Sequence, residues 1–170
     1  MQARALAAAA QHTPATRALD AARRDLEGAA TADHPWLSPF DAAALASESA
    51  LTLRDLEHYD QALTHAEQAV ALRETVRARS LALSRITLVD IHLRRRDLDA
   101  AVSAGHDLLS TSPTLGSIRV VQQLDELRRL LEPHRSYGPV REYLVRFDDA
   151  RRARMLLLAD LIPPSGGTTA

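Results

Sequence analysis

The residues that could do chemistry in this chain are its seven histidines, its paired carboxylates and its runs of arginine. A zinc site needs three or four convergent ligands. His58 and His65 stand seven residues apart, near one helical face, with no third histidine or carboxylate at ligand spacing, and HExxH does not occur. No metal site is expected. Asp148 and Asp149 are adjacent, and neighbours on a helix point about 100° apart, so they cannot share acid–base work. Arg151 and Arg152 follow them at ion-pair spacing. There is no GxSxG elbow and no glycine-rich phosphate loop. With no cysteine, thiolate nucleophiles, thiolate ligands and disulfides are excluded. Nothing here reads as an enzyme, and no cofactor is expected. Arg94-Arg95-Arg96 stands at a predicted helix C-terminus, where cations complement the dipole. A net charge of −1 lacks the basic excess of a nucleic-acid-binding domain.

The elements that would position these residues are helices throughout. The chain has 170 residues, enough for one domain with a sizeable core. It is 46% apolar but only 4% aromatic, so the core must be built from Leu, Ala, Val and Ile. Every cationic side chain is arginine, and Ala, Leu, Arg and Glu favour helix. The punctuation divides the chain into about eight helices: 2–11, from Thr13-Pro14 to 30, 39–56, 59–73, 77–95, 98–110, 117–131 and 139–162. Their inward stripes are expected to be Ala15, Leu19, Ala22 and Leu26; Ala43, Ala46, Ala50, Leu53 and Leu56; Leu81, Ile86, Val89 and Leu93; Ile118, Val121, Leu124, Leu127 and Leu131; and Val140, Leu144, Phe147, Met155 and Leu158. Trp36, the only tryptophan, reads as a plug over helix ends, and residues 163–170 as a disordered tail. No apolar run approaches the roughly 18 residues of a membrane span. MQARALAAAA is only weakly apolar and Gln11-His12 follows without a cleavage site, so it reads as helix rather than signal peptide. A cytoplasmic protein is expected.

One device recurs. His58–Leu72 (HYDQALTHAEQAVAL) sets Tyr59 before small residues at Ala62, Ala66 and Ala69, one helical face that lets a second helix approach closely. About 39 residues on, RDLDAAVSAGHDLL repeats it with Leu98 for Tyr59 and Ala101 for Ala62. Such a period marks a helix-pair array.

The pairs at about 43–76 and 82–113 resemble tetratricopeptide repeats, the first at Ala50, Tyr59, Ala62 and Ala69, the second at Leu88, Asp97-Leu98, Ala101 and Pro113. They are degenerate: Trp-Leu-Gly is missing, Ala66 and Gly105 replace an aromatic, and the spacing exceeds the family's roughly 34. More broadly, Trp36-Leu37-Ser38-Pro39-Phe40-Asp41, YDQALTHAEQAVALRE, RARSLALSRITLVDIHLRRRDLDAAV and VVQQLDELRRLLEPHRSYGPVREYL resemble, in that order, the C-terminal helical-repeat half of actinobacterial transcriptional regulators. That family carries a Cro/repressor-type helix-turn-helix at its N-terminus. No segment here reads as that module, so no direct nucleic-acid binding by this chain is implied.

The resemblance implies an all-α superhelical stack of antiparallel helix pairs over residues 1–162, closed by a capping helix at about 139–162. It implies a protein-interaction or ligand-sensing module, the regulatory part of a bacterial transcriptional regulator; the alternative is a stand-alone adaptor or scaffold. A protein or peptide partner is expected, membrane association is not, and a homodimer is compatible. In tetratricopeptide arrays the first helix of each pair lines a concave groove. By position, the groove residues are Ser47, Leu51, Arg54 and Asp55, then Ile86, Asp90, Leu93 and Arg94. Leu51, Ile86 and Leu93 are either its apolar floor or core. Reversing Arg54 and Arg94 is expected to spare the fold, and residues 1–12 to fray or self-associate as the open end of the array.

Overall fold

A computed structural model describes residues 2–28, 40–73, 77–111 and 117–159. Among them are eight α-helices, a 3-10 turn at Glu132–His134 and no strand: α1 (Gln2–Ala8), α2 (His12–Gly28), α3 (Ala42–Asp55), α4 (Tyr59–Ala71), α5 (Ala78–Arg94), α6 (Leu98–Thr111), α7 (Ile118–Leu131) and α8 (Gly138–Ala159). No helix of the described residues is long and apolar enough to cross a membrane. The expected plug at Trp36, the start of the expected helix 39–56 at Pro39, the side chain of Leu158 and the tail lie outside the described residues.

Two helix starts differ from expectation. α2 begins at His12, not at Thr13-Pro14, and Ala15 N–H donates to the Gln11 carbonyl at 3.0 Å. Pro14 still falls in the first turn, where its missing N–H leaves no intrahelical bond unmade. α3 begins at Ala42, and Asp41 is its cap: the carboxylate accepts from Ala44 N–H at 2.7 Å.

The helices pack as consecutive hairpins, α1 with α2, α3 with α4, α5 with α6 and α7 with α8. First helices also touch one another, α1 to α3, α3 to α5 and α5 to α7. The first three hairpins close by the same turn. Ala10, Glu57 and Arg96 take left-handed backbone angles, with φ of 55°, 62° and 61°. At each, the residue after the turn donates back across five residues: Gln11 to Leu6 at 2.9 Å, His58 to Leu53 at 2.9 Å and Asp97 to His92 at 3.0 Å. This is the Schellman closure, which satisfies carbonyls a helix end would leave bare. Five residues beyond each turn residue stands a fully buried alanine, Ala15, Ala62 or Ala101. The repeated alanine device marks the second and third of these turns, whereas the first falls inside the expected helix 2–11.

α5 is the central helix. Ile86, Val89 and Leu93 face a large core shared with α6, α7 and α8, which holds Leu108, Leu124, Leu127, Tyr143 and Phe147. Ile91, on its other side, enters a smaller cluster with Ala3, Leu19, Ala50, Leu53, Ala62 and Ala66. The C-terminal half is thus packed by large side chains and the N-terminal half mainly by alanine. Gly105 of α6 lies against Tyr143; a methyl group there would sit about 2.5 Å from the ring. Most of the described stripe residues are buried, but Ala22 and Leu26 of α2 are only half-buried. Ile118 and Met155 are 65% and 45% exposed, near the open end of the α7–α8 hairpin, where no other described helix covers them.

Candidate binding groove

Three polar contacts tie α3 and its cap to α5 and its leader. Arg77 Nη1 donates to Asp41 Oδ2 at 2.7 Å, Ser47 Oγ meets Ser84 Oγ at 3.2 Å, and Arg54 Nη1 donates to Asp90 Oδ2 at 2.8 Å. Their sequence separations are 36, 37 and 36 residues. A constant offset along two helices means that they run parallel, side by side. α7 then lies on the far side of α5 from α3, so three first helices form one face.

At the C-terminal end of this face, Arg54, Asp55, Asp90 and Arg94 form a single cluster. Arg54 grips Asp55 at 3.0 and 2.7 Å, and Asp90 also accepts from Arg94 Nε at 2.9 Å. Asp90 is only 6% exposed, so two guanidinium groups offset the cost of its burial. Burial works against the Arg94 charge, but Asp90 and the Tyr59 hydroxyl outweigh it and hold the guanidinium above its usual value. α7 closes the other wall with Gln123, Glu126, Leu127 and Leu130 around a cleft of about 130 Å³. Gln123 donates to Glu126 at 2.9 Å.

The structure therefore brings Arg54, Asp55, Asp90 and Arg94 together, with Ser47 at the other end of the same face and Leu51 half-buried between them. Ile86 and Leu93 are corrected: at 5% and 6% exposure they belong to the main core, not to a groove floor. The reason is register. The turns at Glu57 and Arg96 are 39 residues apart, which would set Leu93 beside Arg54, but the helices pair at 36 to 37, which sets Asp90 there. The exposed apolar side chain on the cleft wall is Leu130, at 37% exposure. It was missed, with Gln123 and Glu126, because α7 was not read as a first helix. Its polar stripe at 122, 123, 126 and 129 was the available signal.

Several of the other chemistry-bearing residues already have partners. Arg95 pairs with Asp60 at 3.0 Å and Arg96 is a turn residue. Asp148 pairs with Arg128 at 2.7 Å and Asp149 with Arg152 at 2.6 Å, while Arg151 reaches across to Asp125. His58 packs its ring against His12, with centroids 5.8 Å apart. His92 is 9% exposed, and burial pushes it and His65 below the usual imidazole value. Among the described residues no group of three or more such side chains is placed to hold a metal ion.

Compared with family models, curated proteins and solved structures, the chain matches none.

Proposed function

We propose that this chain is a protein-interaction or ligand-sensing module, built as a superhelical, tetratricopeptide-like stack of antiparallel helix pairs, and that it serves as the regulatory part of a bacterial transcriptional regulator. The observation that carries the reading is the constant-offset row of contacts between α3 and α5. First helices aligned in parallel present side chains of equivalent turns to one ligand, which suits an extended peptide. Leu130 at the rim is the apolar anchor, with Glu126 and the partly exposed Arg94 flanking it. Anchors of this kind supply affinity, and flanking charges supply orientation and encounter rate.

The test is site-specific photocrosslinking in the source cell. A crosslinking residue at Gln123 or Glu126 is expected to trap a discrete partner, and one at exposed Gln68 on α4 to trap none. Equal capture at both positions would refute the groove. The regulatory role has its own test, whether the reading frame upstream of Met1 encodes a helix-turn-helix. Without one, the chain is a stand-alone adaptor.

A further inference from the structure

The other end of the same face holds a cation of a different kind. Arg73 follows α4, and its Nε and Nη2 reach the hydroxyl oxygens of Ser84 at 3.4 Å and Ser47 at 3.3 Å. Both distances are long for hydrogen bonds, and both acceptors are neutral. Ser47 already donates to the Ala43 carbonyl at 2.9 Å, and Ser84 is 5% exposed, so the two serines form a fixed seat rather than a counter-charge. Among the described residues no carboxylate lies within ion-pair distance of Arg73, whereas Arg54, Arg77 and Arg94 on the same face each have one. Asp41, which lines the cleft beside it, is already committed to capping α3 and to Arg77. Beside the guanidinium is a cleft of about 80 Å³, lined by Asp41, Ala43, Leu72, Arg73 and Arg77. That space suits a small charged head and not a ring.

We propose that Arg73, seated on Ser47 and Ser84, is an oxyanion-binding corner of the groove that takes a carboxylate or phosphoryl group of the bound peptide. A planar guanidinium with one edge pinned offers its remaining N–H donors in the fork that such oxygens accept. Burial of Ser84 and partial burial of Ser47 limit water on one side of the pair, and Leu72, 47% exposed, gives the carrier's aliphatic part a surface to lie on. The proposal rests on the groove reading for its peptide but not for its anion chemistry, so the two can fail separately.

The test titrates the whole chain, labelled with nitrogen-15, with acetate and separately with inorganic phosphate, with chloride holding ionic strength constant. The Arg73 Nε–H signal and the amides of residues 72, 73, 77 and 84 are followed. At least one oxyanion is expected to give saturable shifts, with a dissociation constant on the order of millimolar. Acetate alone would identify a carboxylate corner, phosphate alone a phosphoryl corner. Arg73→Gln is expected to weaken binding about tenfold or more and Arg73→Lys to weaken it less, since lysine keeps the charge but loses the fork. Arg119→Gln, at an exposed site on α7, should change nothing. Shifts with neither anion, or shifts that survive in both Arg73 variants, would overturn the corner. The crosslinks at Gln123 and Glu126 report on the groove independently.

Discussion

Asp90 shows how one carboxylate can decide what an experiment means. It is buried, it accepts from Arg54 and Arg94, and its counter-charges come from two different helices. Reversing Arg54 and Arg94 therefore does not spare the fold, as exposed charges would. It leaves a buried carboxylate without a partner and sets two more beside it. The double variant R54E/R94E is expected to lose about 3 kcal/mol or more in urea unfolding. Arg94→Met alone should cost under about 1 kcal/mol, because that side chain is 40% exposed and Arg54 remains. Similar midpoints for wild type and the double variant would show that Asp90 does not depend on the pairs. Buried His92 and half-buried His65 give a pH signature. Burial lowers the values of His92 and His65 in the folded chain, although Asp97 and Gln68 pull the other way. Unfolded histidine titrates near about 6.5, so below that pH the unfolded chain binds more protons and stability falls. Their contribution is complete above about pH 6.5 and is lost as pH drops toward the folded values. Melting temperature should fall between about pH 7.5 and 5.5, and less steeply in H65Q/H92Q. Equal slopes would assign the loss to other groups.

Helix existence was legible because it rests on period and punctuation, and each of the eight expected helices is present. The place of the first turn was not, for a local reason. A left-handed turn residue is usually glycine, and Ala10, Glu57 and Arg96 are not, so AAAAQ reads as helix to residue 11 and the break falls at Thr13-Pro14 instead of Ala10. The buried alanine five residues beyond each turn was the remaining clue, and the register of α3 on α5 was hidden because the Glu57 and Arg96 turns lie 39 apart while side chains meet at 36 to 37. The same turns yield a prediction. A non-glycine residue in this conformation costs about 1–2 kcal/mol, partly offset because glycine loses more entropy on folding. Glu57→Gly and Arg96→Gly are each expected to stabilise the chain by about 0.5–1 kcal/mol. As a control, glycine at exposed Glu67, inside α4, should destabilise by about 0.5–1 kcal/mol. Denaturant midpoints moving the same way for turn and control would show that the backbone angle is not the cause.

The two halves of the molecule are joined through α5 but packed by different means, which sets the order in which they open. From α5 to α8 one core unites Val89, Leu108, Leu124, Leu127, Tyr143 and Phe147. Across α1 to α4 the buried clusters hold more alanine than leucine, with only Leu19, Leu53 and Leu56 among their larger members, and α1 buries only Ala3 and Ala7. Buried apolar area contributes about 25 cal/mol per Å², so alanine contacts are individually the weaker. Hairpins that touch mainly their neighbours also let an end unit detach without breaking contacts it does not make. Native-state hydrogen exchange should therefore show three levels: α1 least protected, the amides of α3 and α4 intermediate, and those of α5 and α7 exchanging only at the global unfolding free energy. Ile91 joins the halves, with its side chain among the N-terminal alanines and its backbone in the central helix. Ile91→Ala, at a cost of about 2–4 kcal/mol, should widen the gap between the upper two levels more than Leu124→Ala, whose side chain lies wholly within the C-terminal core. If both variants lowered the protection of every helix equally, the chain would be one cooperative unit and α5 would not be a joint between two.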